Sequence, residues 1–165
     1  MLLTPHMLMG AAVATVVPNS ILAVPLSFGL HFLGDLIPHW DFYSKTTHEQ
    51  KTTGWRPIAV MAELGLAVAV SMTATLFAMW VLHDSSLALR IFLCCGASIL
   101  PDMLEAPAIF YKNGEENIFT AIKNVQSKLQ VQIPLPWGIL TQILVAGVAV
   151  YIFLSAVPIT TLQQT

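Results

Sequence analysis

Long apolar blocks dominate this chain, and their lengths set the first expectations. Residues 57–82 (PIAVMAELGLAVAVSMTATLFAMWVL) and 136–158 (PWGILTQILVAGVAVYIFLSAVP) carry almost no charge. Each reaches the roughly 20 residues that an α-helix needs to cross a bilayer. A third block, 87–111, is apolar but contains Arg90, Asp102 and Glu105. The first third of the chain holds two shorter blocks, 5–17 and 20–37, parted by Pro18-Asn19-Ser20, which reads as a turn followed by a helix cap. Thr4-Pro5 suits a helix start, with a hydroxyl cap and a proline in the first turn. Pro25 allows a kink in the second block. Pro38 ends that block, because it lacks an N–H, would clash with the carbonyl of Gly34 and biases Ile37 away from helix. The pattern predicts a single all-α, polytopic membrane domain over 1–165, with about five helices of which the first two form a short hairpin. Between the last two blocks, Ile118, Ile122, Val125 and Leu129 recur at helical spacing. They predict an amphipathic helix over 116–130 along the membrane interface, either a surface connector or a lid over a substrate.

Composition agrees with the blocks. Hydrophobic residues make up 56% of the 165 and charged residues only 10%, too apolar for a soluble globule of this size. Seven scattered Lys and Arg with a net charge of −2 form no basic stripe, so nucleic acid is not an expected partner. Cys94 and Cys95 are adjacent inside an apolar run and read as buried hydrophobes. The start MLLTPHMLMGAAVATVV has no Lys or Arg ahead of its apolar part, so it is expected to be retained rather than cleaved. Lys45, Lys51 and Arg56 lie in one polar segment and Lys112, Lys123 and Lys128 in another. Two spans separate these segments, and the positive-inside rule places both in the cytoplasm, with the N-terminus. The tail LQQT then lies outside. Trp40, Trp55 and Trp137 fall near predicted helix ends, as an aromatic belt requires.

In a chain so poor in charge, the stretch His31-Phe-Leu-Gly-Asp35-Leu-Ile-Pro-His39-Trp-Asp41 stands out. Ionisable groups are expensive in lipid and by default mark a functional site. His31 and Asp35 are four apart, so a helix projects them from one face, where they can share a metal ion. Imidazole nitrogen with carboxylate oxygen suits zinc, iron or manganese. Gly34 beside them leaves room for another backbone, and His39 and Asp41 lie in the turn beyond Pro38. The charge map also brings His6, Glu63, Asp102 and Glu105 to the same depth near the same face. Other readings stand beside this one. His6 fits an interfacial residue, Glu63 fits an ion pair with Arg56 or Lys51, and Asp102 with Glu105 fits two acids reaching water at a Pro101 kink. His48, in the polar Thr46–Gln50 loop, is expected to be solvated, and His83-Asp84 belongs to the opposite side.

HFLGDLIPHWD, preceded by TPH and followed by LPDMLEAP, resembles a family of small bacterial inner-membrane proteins described as metal-dependent hydrolases. That family is distantly similar to the zinc-dependent phospholipase C and P1 nuclease fold. His31 and Asp35 match the HxxxD pair of that fold, while Pro38 and His39 arrive earlier after the aspartate. The second His-and-acid pair of the soluble enzymes has no equivalent here, and Asp102 and Glu105 are the candidates to substitute for it. Those enzymes also use their terminal amine as a ligand, which the start of this sequence does not match. The resemblance implies hydrolysis of a phosphoester, lipid-linked in this setting, at the cytoplasmic face of the inner membrane. His6, His31, Asp35 and Asp102, with His39 and Glu63 as further candidates, would hold one or two divalent ions, zinc foremost. Glu105 or Asp41 would act as general base, and Lys45, Lys51 or Arg56 would meet phosphate. Two other classes remain open: a metal-ion or proton binding, transport or sensing protein, and a non-catalytic membrane adaptor.

Overall fold

The computed structural model describes residues 1–43, 46–110 and 117–157, and all regular elements among them are helical. Lys45, Tyr111, Lys112, residue 116 and the tail beyond Val157 lie outside the described residues. The elements are α1 (Leu3–Val16), α2 (Ser20–Leu36), α3 (His48–Thr52), α4 (Trp55–Leu76), α5 (Ser85–Glu105), α6 (Ile118–Leu129) and α7 (Trp137–Ala156). A π-helical turn, Phe77–Val81, prolongs α4, and a 3₁₀ turn, Ala106–Phe110, prolongs α5. Three continuous helices, Trp55–Val81, Ser85–Ala108 and Trp137–Ala156, are long and apolar enough to cross a membrane. The one helix that the hydrophobic pattern misses is α3, where a polar loop is expected. Its cause is local: Thr47 accepts from the Gln50 amide while the Gln50 side chain accepts from the Thr47 amide, a reciprocal capping box.

The short α1 is the centre of the bundle, packed against α2, α4, α5 and α7. At about 21 Å it is too short to span unaided, but its neighbours enclose it. Small residues allow this: Gly10, Ala11, Ala12 and Ala14 are all buried. A Cβ on Gly10 would lie 2.6 Å from the Cys94 carbonyl oxygen, so the α1 and α5 backbones are nearly in contact there. Cys94 and Cys95 are buried free thiols at this crossing.

Both ends of α1 are closed by other helices rather than by its own residues. The expected Thr4 cap is absent because the helix begins earlier, at Leu3, and no side chain caps it locally. The Glu63 carboxylate of α4 accepts from the Leu3 and Thr4 amides at 3.1 and 2.7 Å, and Gln142 of α7 accepts from Leu2 at 2.8 Å. At the other end, the Arg90 guanidinium donates to the carbonyls of Ala14 and Pro18, both at 2.7 Å. An anion at the N-terminus and a cation at the C-terminus both oppose the helix dipole, and together they satisfy groups that have no partner within the helix. Arg90→Ala is therefore expected to destabilise the bundle by about 2 kcal/mol. This would be read as a lower unfolding temperature in detergent, with metal binding at the other end unchanged.

The second short helix behaves as its sequence predicts at both ends. Asn19 caps it, accepting from Ile21 at 2.9 Å, and it stops at Leu36 with Ile37 donating to the Gly34 carbonyl.

Candidate metal centre

His31 and Asp35 occupy the last turns of α2 and His6 the first turns of α1, and all three side chains are fully buried. After Pro38 the chain runs extended and pairs with residues 131–133. Val131 donates to the Asp35 carbonyl at 3.1 Å, His39 to Val131 at 2.9 Å and Ile133 to His39 at 2.8 Å. This short pairing returns the His39 ring to the cluster, also fully buried. It is braced on α7, where Trp40 donates to Gly138 and Gln142 donates to the Trp40 carbonyl. Gly138 is needed here, because a Cβ would lie 2.6 Å from the Trp40 amide nitrogen. Close backbone approach is thus found at Gly10 and Gly138. At Gly34, where it was expected, the near atoms are Met1 and Met9 methyls and the edge of the His6 ring.

Asp35 is the hub. Its Oδ1 accepts from the Met1 amine, lies 3.2 Å from His6 Nε2 and 3.9 Å from His39 Nε2, while Oδ2 lies 3.5 Å from His31 Nε2. The start of the sequence therefore does reach the cluster. Asp102, from α5, places Oδ1 3.7 Å from His31 Nε2. The His6 and His31 rings stack with centroids 4.1 Å apart.

The hydrogen-bond partners fix the tautomers. His31 Nδ1 lies 2.8 Å from the Ser98 carbonyl and His39 Nδ1 lies 2.9 Å from the Ile37 carbonyl. A carbonyl only accepts, so both Nδ1 atoms carry the proton, and in the neutral ring Nε2 then presents a lone pair. Orientation of an imidazole by a backbone carbonyl in this way is characteristic of metal ligands. Burial is also the main influence holding the His39 imidazole toward its neutral form, and the Met1 amine adds to it.

Two observations fit a cation among these atoms. Buried polar atoms in proteins nearly always have partners. Among the described residues six buried side-chain polar atoms have none, and four of them belong to this cluster: His6 Nδ1, His39 Nε2, Asp102 Oδ2 and Gln126 Oε1. In addition, His6, His31 and Asp102 each offer a ligand atom, all within 4.8 Å of one another. Around an ion with bonds of about 2.1 Å, neighbouring ligand atoms stand about 3.0 to 3.4 Å apart. The separations from His6 Nε2 to Asp35 Oδ1 and from His31 Nε2 to Asp35 Oδ2, 3.2 and 3.5 Å, are of this size, the first being also a hydrogen-bond distance.

The other sequence candidates lie around the cluster. Glu63 is engaged at the α1 amides. Asp41 accepts from the Tyr43 amide at 2.6 Å and from Gln132 at 2.8 Å. Asp41, Glu63, Asp102 and Glu105 all line one cavity of about 220 Å³, together with Lys51 and Lys123. Burial, and then the charge of Lys123, press the Lys51 ammonium below its ordinary range. Arg56 stacks on Trp55, and His48 belongs to α3 rather than to a loop, with no part in the cluster.

Sequence reasoning missed the side-chain amides of α6 and of its C-cap residue Gln130. Gln126 donates to Asp102 at 2.6 Å, and Gln130 donates to Asp35 at 3.4 Å. The helix lies over the site with its polar stripe inward. Gln126 is 1% exposed, whereas Ile118 and Val125 are 67% and 60% exposed. That inversion suits a lipid boundary, and nothing in the helical spacing of the apolar residues specifies it.

Comparison with family models, with curated proteins and with solved structures yields no match for this chain.

Proposed function

We propose that the chain is a membrane-embedded, metal-dependent hydrolase of a phosphoester carried by a lipid. The observation that carries this reading is the meeting of three histidines and two aspartates in a buried cluster, with unpartnered ligand atoms, beside an acid- and lysine-lined cavity. His6, His31, Asp35 and Asp102 would hold one or two divalent ions, zinc by preference, with His39 closing the set. A bound ion of this kind supplies Lewis acidity and neutralises developing negative charge. Glu105 lies three residues beyond Asp102 on the cavity wall and is placed to take a proton as general base. Asp41, tied to Tyr43 and Gln132, positions the loop rather than the proton. Lys51 and Lys123 offer two ammonium groups to a phosphate.

The setting favours a substrate that arrives from the bilayer, since the cavity lies at one end of the apolar helices and under a lid whose outer face is apolar. We place this end in the cytoplasm of a bacterial inner membrane, from the distribution of Lys and Arg and from the motif resemblance. A transport role would require polar groups to continue along the bundle. Past His6 the buried side of α1 is Met7, Gly10, Ala11 and Ala14, packed on Ile91 and Cys94.

Zinc-loaded protein in phospholipid micelles is expected to turn over a lipid phosphoester. Glu105→Gln should lower the rate by about 10²- to 10⁴-fold while retaining metal. Full metal occupancy with no turnover of phospholipid, isoprenoid-phosphate or nucleotide esters would contradict the hydrolase reading and leave a binding role.

A further inference from the structure

The lid brings one more side chain to the centre, within hydrogen-bond reach of two of its groups. Gln126 is held on a helix whose first turn is closed by a reciprocal Asn117–Thr120 capping box. Its Nε2 donates to Asp102 Oδ1 at 2.6 Å and to His31 Nε2 at 3.0 Å. One atom of the carboxamide thus stands within hydrogen-bond reach of two of the three groups that converge as metal ligands. The other atom, Oε1, is buried with no partner. A half-turn about the last side-chain bond exchanges the two atoms without moving α6. The oxygen would then face an imidazole lone pair and a carboxylate oxygen. Three acceptors repel one another, and a cation among them makes that orientation favourable.

We propose that Gln126 is a metal ligand through Oε1, so that the centre is completed by a neutral oxygen donor from the lid helix. A glutamine carbonyl is an established donor to divalent ions with oxygen preference. The ion taken is therefore one that accepts mixed nitrogen and oxygen ligands, such as zinc or manganese. The same carboxamide fastens α6 in either orientation, by its N–H groups to His31 and Asp102 or by its oxygen to the ion. Metal loading and lid position are thereby linked through one residue.

This assignment rests on the metal centre proposed above, and the test separates the two. Wild type, Gln126→Ala, Gln126→Glu and Ser127→Ala are titrated with zinc in detergent against a chromophoric chelator. Gln126→Ala is expected to weaken binding by about tenfold or more, at least the cost of losing an outer partner. Gln126→Glu, which keeps an oxygen and adds a negative charge, should bind at least as tightly as wild type. Ser127→Ala, on the same helix, should be unchanged. A smaller loss in Gln126→Ala, or weaker binding in Gln126→Glu than in wild type, overturns the assignment. If Gln126→Ala aggregates, the glutamate variant decides by its direction alone. A wild type that binds no zinc refutes the centre itself. Zinc binding by wild type that is unchanged in Gln126→Ala refutes only the lid ligand.

Discussion

Asp35→Ala is expected to abolish metal binding and also to loosen the unloaded bundle. More groups of the cluster meet at this carboxylate than at any other: the Met1 amine, His6 and His39 on one oxygen, His31 and Gln130 on the other. Removing it deletes one ligand and lets the remaining ones drift. The loss in affinity should therefore exceed the 10- to 100-fold typical of outer-shell partners. In the unloaded protein the same change strips a buried amine and the His6 ring of their acceptor. Leaving a buried charge without its partner costs about 3–5 kcal/mol, which is a large share of the stability of a domain this size. Chelator competition measures the first effect and thermal unfolding in detergent the second. Loss of metal with unchanged stability would mean that the Asp35 network is not what closes this end of the bundle.

Gly10→Ala is the second large effect, although the residue touches no candidate ligand. The added methyl would lie 2.6 Å from the Cys94 carbonyl oxygen and 2.9 Å from its carbon, both backbone atoms. Neither can move without parting α1 from α5. Forced overpacking of this kind costs about 1–3 kcal/mol. It should also reach the site, because α1 carries His6 while α5 carries Asp102 and the Ser98 carbonyl that orients His31. Metal affinity should then fall together with stability. Gly34→Ala provides the contrast. It lies beside Asp35, but its closest neighbours are the flexible methyl ends of Met9 and Met1, so its cost should be under about 1 kcal/mol. Equal effects at the two glycines would show that the α1–α5 spacing does not set the geometry of the cluster.

The contrast between these glycines reflects what a one-dimensional pattern can carry. Helical period and the Pro38 stop are local, so the His31–Asp35 pair and the end of α2 are legible directly. The charge map adds depth, and depth groups His6 and Asp102 with His31. Direction around a helix is another matter. Glu63 sits at the right depth, yet it turns to the α1 amides, because a buried helix start without its own cap needs an acceptor more than the cluster needs a sixth ligand. His39 reaches the site only through backbone pairing with residues more than 90 positions away, and no local signal encodes that. Gln126 and Gln130 were hidden for a chemical reason. Neutral amides on an amphipathic helix look like a solvated face, and only the inward turn of that face in the fold makes them part of the site. The α3 helix differs, since the Thr47–Gln50 capping box was readable in the sequence and only its brevity concealed it.

Elemental analysis is the most direct test that the His/Asp cluster holds a metal. Wild type, His31→Ala and the surface control His48→Ala would be purified in detergent, exposed to zinc and desalted. Wild type and His48→Ala should retain one or two divalent ions per chain, and His31→Ala substantially less. A folded wild type that retains none after this treatment would contradict the metal centre and every function proposed from it.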